Sequence, residues 1–273
     1  QIKIDSTITG QTSLNAGDGN DDIRIKAIAG PTAVTGGAGE NAVRVFNDEN
    51  TLQDIAATLV VSGNGSVDLL ELRHTGEASP QPVQLSDDTI IGLSPGQIRY
   101  DALSTLDIQS SDADQHFDIV GTHPGMTIIS SGSGDDVVNM QATGGETRIS
   151  TGAGDDQFVI SSAAGTLNDL NGQLILDAGA DSDTLTFSDL GDASSNSGQL
   201  NSASLIGLGT AGVEFTNFES ADLTLSNSDD HLDVESLSLP FVIRGSAGND
   251  VIDASDLIVT NNGAITLLGG DGD

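Results

Sequence analysis

Asp136, Asp156 and Asp183 each close a glycine-rich loop: Gly132-Ser133-Gly134-Asp135-Asp136, Gly152-Ala153-Gly154-Asp155-Asp156, and the loop that begins at Gly179. The carboxylate is a hard oxygen donor. Glycine, free to adopt positive φ, turns the chain tightly and directs backbone carbonyls inward. Stacked one above another, such loops bring carbonyls and carboxylates around one cation, and a site of about six to eight oxygens is what calcium takes. The same loop type recurs at Gly17-Asp18-Gly19 and Gly37-Ala38-Gly39, with Asp21 and Asn41 in the corresponding place, and further corresponding residues are Asp68 and Asp250. Without a cation between them, stacked carboxylates repel. Alone, each loop reads as a tight turn, where Gly, Asn and Asp are favoured without any metal.

The spacing of these loops sets the architecture. Phe117 lies 115 residues after Ile2, and Leu232 lies 115 after Phe117. Gly17 and Gly132, Gly37 and Gly152, and Asp68 and Asp183 keep the same offset. The chain therefore divides into the end of one repeat (1–13), a full repeat (14–128), a second (129–243) and the start of a third (244–273). Within each unit a finer step recurs. The apolar residues that open short alternating strands, Ile23, Val43, Leu70 and Phe117, are 20, 27 and 47 residues apart, and so are Val138, Phe158, Leu185 and Leu232. A second strand precedes most loops, as at Ala33-Val34-Thr35 and Thr147-Arg148-Ile149. Alternation marks half-buried strands, and a fixed step of strand, turn, strand and loop predicts an all-β chain: a parallel β-solenoid, of the right-handed β-helix or β-roll kind, with about five coils per unit. Tandem antiparallel β-sandwiches of the same length are the alternative.

The loops resemble the Gly-Gly-x-Gly-x-Asp repeats of RTX (hemolysin-type) calcium-binding proteins, with Ala16, Ser131 and Thr151 in place of the first glycine and Asn41 in place of Asp. The resemblance implies a β-roll-like fold that binds Ca2+ through Asp21, Asn41, Asp68, Asp136, Asp156, Asp183 and Asp250, with carbonyls from Gly132, Gly134, Gly152 and Gly154. The whole unit is similar to the long degenerate repeats of very large bacterial surface proteins and adhesins. That implies an extracellular, cell-surface structural module whose partners are neighbouring repeats of the same chain or head-to-tail copies of itself.

Composition narrows the other classes. The chain carries 41 acidic and 8 basic residues, a formal charge of −33, and 33 of the acidic residues are Asp. Phosphate backbones and anionic surfaces are repelled, so nucleic acid is not an expected partner. No apolar run approaches the ~18 residues of a membrane span, and no disulfide is possible without Cys. A polysaccharide-active lyase or epimerase on a β-helix needs a basic residue at its centre, and Lys3, Arg24, Lys26, Arg44, Arg73, Arg99, Arg148 and Arg244 form no cluster in the sequence. A sugar-binding module needs aromatic platforms, and Trp is absent. His116 and His231, one repeat apart, read as turn residues, while His74 and His123 stand alone. No catalytic residues are expected. The start at an apolar triplet and the stop inside the Gly/Asp loop at Asp273 predict adhesive or continued ends.

Overall fold

The computed structural model describes residues 1–64 and 67–270, and among these there is strand, turn and loop but no helix. The final loop, Asp271 to Asp273, lies outside the described residues. Counted from the apolar triplets at Ile2, Phe117 and Leu232 instead of from the glycine loops, the first unit has the strands β1 (Ile2–Ile4), β2 (Thr12–Asn15), β3 (Asp22–Ile25), β4 (Thr32–Thr35), β5 (Glu40–Val45), β6 (Leu59–Ser62), β7 (Val67–Arg73), β8 (Pro82–Leu85), β9 (Thr89–Ile91), β10 (Ile98–Asp101) and β11 (Thr105–Gln109). The second unit repeats them as β12 (His116–Ile119), β13 (Met126–Ser130), β14 (Val137–Met140), β15 (Thr147–Ser150), β16 (Gln157–Ile160), β17 (Leu174–Asp177), β18 (Thr184–Ser188), β19 (Ser197–Asn201), β20 (Ser204–Gly207), β21 (Thr210–Thr216) and β22 (Ser220–Thr224). The third begins with β23 (His231–Val234), β24 (Ser236–Leu237), β25 (Pro240–Arg244), β26 (Val251–Asp253), β27 (Ile258–Val259) and β28 (Ala264–Leu268).

Two sheets of 13 strands each face one another, sheet I running from β1 to β26 and sheet II from β2 to β28; β24 and β27 form a separate pair. Pairing is parallel and in register from coil to coil, as in Ile23↔Val43, Val43↔Leu70 and Leu70↔Leu106. This is the parallel β-solenoid expected of the repeat. The strands form because their sequences alternate. In Asp22-Ile23-Arg24-Ile25 both isoleucines are fully buried between the sheets and Arg24 faces outward. Sheet II contributes two inward columns: Phe117, Val138, Phe158, Leu185, Ala221 and Phe241; and Ile119, Met140, Ile160, Phe187, Leu223 and Ile243. Fully burying one such side chain contributes about 1.5–3 kcal/mol.

Each unit holds eleven strands, an odd number, so equivalent strands fall on opposite sheets: β1 in sheet I, β12 in sheet II, β23 in sheet I. Successive units are therefore related by a half-turn about the stack. The consequence is visible where the parallel pattern breaks. In the first unit β9 runs antiparallel between β8 and β10 inside sheet II, and in the second β20 runs antiparallel between β19 and β21 inside sheet I. Each excursion adds two strands to its sheet. Because the half-turn moves it from one sheet to the other, both sheets reach 13 strands. An even number of strands per unit would lengthen one sheet only.

Candidate functional site

The glycine loops occupy the turns between the sheets, and the half-turn sets them on alternating edges. In the first unit they connect sheet II to sheet I; in the second, sheet I to sheet II; at Asp250, sheet II to sheet I again. The glycines adopt the positive φ that the motif requires, +105° at Gly132, +113° at Gly134, +97° at Gly152 and +137° at Gly154. Where the pattern has Asp181 in place of glycine, that residue still adopts φ of 90°. The loops stack closely: a Cβ on Gly152 would lie 1.9 Å from the Gly132 carbonyl oxygen.

The sequence-predicted acidic residues stand in single file. Asp136, Asp156 and Asp183 are fully or almost fully buried, in three consecutive coils. Each hands one oxygen to the coil before it. Asp136 Oδ1 accepts the backbone N–H of Gln115 at 2.6 Å, Asp156 Oδ1 that of Asp136 at 2.8 Å, and Asp183 Oδ1 that of Asp156 at 2.8 Å. Glu219 ends the file by accepting the Asp183 N–H at 2.7 Å. In the first unit Asn41 accepts from Asp21 at 3.0 Å and Asp68 from Asn41 at 3.1 Å. In the third, Asp250 accepts from Asp230 at 2.9 Å and Asp230 from Asn196 at 2.8 Å. So these side chains satisfy the orphan N–H that begins each strand after the loop, a role that any acceptor of this length fills.

The second oxygen differs from coil to coil. Asp136 Oδ2 accepts the Ser131 hydroxyl, whereas Asp21, Asp156 and Asp183 each keep one buried oxygen with no hydrogen-bond partner. Asn41 shows what surrounds that position. Its amide nitrogen donates to the carbonyls of Gly37 at 3.2 Å and Gly39 at 3.3 Å, and the Asn64 amide donates to the same two carbonyls. Asp156 is one repeat after Asn41, and Gly152 and Gly154 one repeat after Gly37 and Gly39. At the equivalent place the second unit thus carries a carboxylate where the first carries an amide donor. Burial pushes the Asp136 and Asp183 carboxyls up to about 6 and raises that of Asp156; neighbouring Asp155 adds to the last two, and Asp156 itself to Asp136 and Asp183. Burial likewise raises Asp250. The donor set is all hard oxygen, which suits calcium. Among the described residues, no three acidic or histidine side chains meet at one point, so backbone carbonyls would have to supply most of the ligands.

Two readings of the sequence change. The basic residues do cluster. Lys3, Arg24 and Arg44 occupy successive outward positions of sheet I, because parallel in-register strands align residues far apart in sequence. Arg24 and Arg73 flank the Phe46 ring at 4.4 and 4.5 Å. Every member reaches a carboxylate: Lys3 Asp5, Lys26 and Arg24 Asp48, Arg44 Asp22 and Glu71, and Arg73 Glu71. His116 and His231 open β12 and β23 rather than sitting in turns, facing outward toward Asn139 and Asp233.

Sequence reading missed His74, which is fully buried; its Nδ1 accepts the backbone N–H of Leu52 at 3.0 Å. Its equivalence to Asp189, one repeat later, was the available signal. Pro82, Gly96 and the other breaks that place the antiparallel strands carried no such signal. No protein-family model matches this chain, and a search of curated proteins finds no similar sequence.

Proposed function

We propose that this chain is a calcium-stabilised structural module of a large extracellular bacterial surface protein, such as a stalk, an adhesin or a filament, and that it is not an enzyme. The observation that supports this best is the alternation of equivalent strands between the two sheets. It keeps both sheets at 13 strands, so that added units lengthen the two sheets equally. At ~4.8 Å between strands, a sheet of 13 strands is about 60 Å long. A module of this kind spans distance, and its neighbours are further coils or head-to-tail copies, which the paired edges β1 and β2 at one end and β26 and β28 at the other would accept.

Calcium enters this reading through the buried, unpaired oxygens of Asp156 and Asp183, with the loop carbonyls of Gly132, Gly134, Gly152 and Gly154 proposed as further ligands, and with Asp21, Asn41 and Asp68, and Asp250, as the corresponding residues of the other units. A bound divalent ion would neutralise buried charge that hydrogen bonds leave uncompensated. Extracellular calcium modules bind at roughly 10⁻⁴–10⁻³ M, so millimolar calcium should raise the melting temperature relative to chelator. An unchanged melting temperature would remove calcium from the proposal. Sedimentation velocity tests the ends: calcium should promote association more than sodium of equal ionic strength, and a strictly monomeric chain in both would remove the head-to-tail partner.

A further inference from the structure

His74 and Asp189 are 115 residues apart and hold the same place in the two units. Their surroundings repeat bond for bond. His74 N donates to Gln109 O at 2.7 Å and Asp189 N to Thr224 O at 2.9 Å; Glu77 N donates to His74 O at 3.2 Å and Asp192 N to Asp189 O at 2.9 Å; Gly76 N donates to Asn50 O at 3.0 Å and Gly191 N to Gly165 O at 2.8 Å. Each side chain is completely buried and accepts the backbone N–H of the equivalent leucine, Leu52 for His74 at 3.0 Å and Leu167 for Asp189 at 2.9 Å. Each also buries a second polar atom without a partner, Nε2 of His74 and Oδ2 of Asp189.

An imidazole that accepts at Nδ1 is neutral and carries its hydrogen on Nε2. The position thus takes a neutral group with one acceptor atom. An ionised Asp189 would place a desolvated charge there, and the charged groups that face it, Asp192 on its own turn and Asp230 before the next strand, are both acidic. The group facing His74 is Glu77. We infer that in mildly acidic solution Asp189 is a neutral carboxylic acid that fills the role of neutral His74, so that acidification strengthens the second unit at this position and weakens the first. The module then carries a pH-dependent choice of which unit opens first.

Burial raises the Asp189 carboxyl to about 6. Its contribution is complete below the unfolded carboxyl value of about 3.9 and is lost as pH rises through about 6. Burial lowers His74, so its contribution is complete above the unfolded imidazole value of about 6.5 and is lost as pH falls below it.

Hydrogen exchange of the whole chain in chelator, corrected for the intrinsic rate, reads the two leucine amides separately. From pH 7.5 to pH 5 the protection of Leu167 should rise about tenfold and that of Leu52 should fall. Asp189→Asn, neutral at every pH and still an acceptor, should give Leu167 the pH 5 level of protection at pH 7.5 and abolish its dependence. Loss of Leu167 protection in Asp189→Asn at pH 7.5 would overturn the inference, as would wild-type protection that is flat or falls on acidification. If the variant does not fold, the carboxyl ¹³C shift of wild-type Asp189 decides: a neutral acid at pH 5 that ionises above about 6 supports the inference, and an ionised carboxylate at pH 5 sinks it. Leu167 protection at pH 7.5 that calcium restores to its pH 5 level would assign Oδ2 to a metal and also overturn it.

Discussion

Asp156 Oδ1 accepts the backbone N–H of Asp136 at 2.8 Å across one coil. In the first unit Asn41 makes the same bond to Asp21 at 3.0 Å. The conserved requirement of this position is therefore an acceptor, and the charge that Asp156 adds is a separate property. The two can be separated by substitution. Asp156→Ala leaves a buried N–H unpaired and should destabilise the fold by about 1–3 kcal/mol. Asp156→Asn keeps the bond and should leave stability in chelator unchanged or higher. If calcium binds at this loop, both variants should lose more of the calcium response than Asn41→Ala does. Thermal melts of the three variants with calcium and with chelator give the comparison; equal calcium responses for Asp156→Ala and Asn41→Ala would count against a carboxylate site.

Asp181 offers a test of the loop geometry itself. It adopts φ of 90° where the equivalent loop residues Gly134 and Gly154 are glycine. The left-handed region costs an L-residue roughly 1–2 kcal/mol. Asp181→Gly should therefore stabilise the second unit by about 1 kcal/mol, less the extra backbone entropy that glycine loses on folding. Urea denaturation would show a higher midpoint; a lower one would mean that the Asp181 side chain contributes an interaction that outweighs the strain.

The solenoid was legible because its two signals, alternation within strands and a fixed 115-residue offset, are both properties of a one-dimensional sequence. The positions of Asp136, Asp156 and Asp183 in successive coils followed from them. What the carboxylates do was not legible. Whether an oxygen meets a cation or the backbone N–H of the coil below depends on a shift of a few ångströms in the stacking, which spacing does not encode. The cluster around Phe46 was hidden for a related reason: Lys3, Arg24 and Arg44 become neighbours only through strand register. The sheet exchange between units was also hidden, since it depends on counting every strand, including β8 to β10, whose antiparallel pairing has no periodic signature.

The core predicts where stability concentrates. Phe158 is fully buried and packs edge-on against Phe218, with ring centroids 5.2 Å apart at 80°. Phe158→Ala should cost about 3–5 kcal/mol. Because each coil touches only its neighbours, the loss should be felt in β14, β16 and β18 more than in β1 to β5. Hydrogen exchange resolved by strand distinguishes this from a uniform loss.

Gly17 and Gly152 separate backbone strain from crowding. Both take nearly the same positive φ, +96° and +97°, so an alanine at either pays the same conformational penalty of about 1 kcal/mol. Their surroundings differ. A Cβ at Gly17 would meet nothing within 4 Å, whereas at Gly152 it would lie 1.9 Å from the Gly132 carbonyl oxygen, a backbone atom that cannot move without its loop. Gly152→Ala should thus force apart the two loops that carry Asp136 and Asp156, and cost about 2–4 kcal/mol in all once the overpacking of about 1–3 kcal/mol is added. Gly17→Ala should show the strain alone. Chemical denaturation of both variants measures the difference. Equal destabilisation would mean that the loops are not in contact, and with them would go the close stacking on which both the hydrogen-bonded file and any shared calcium depend.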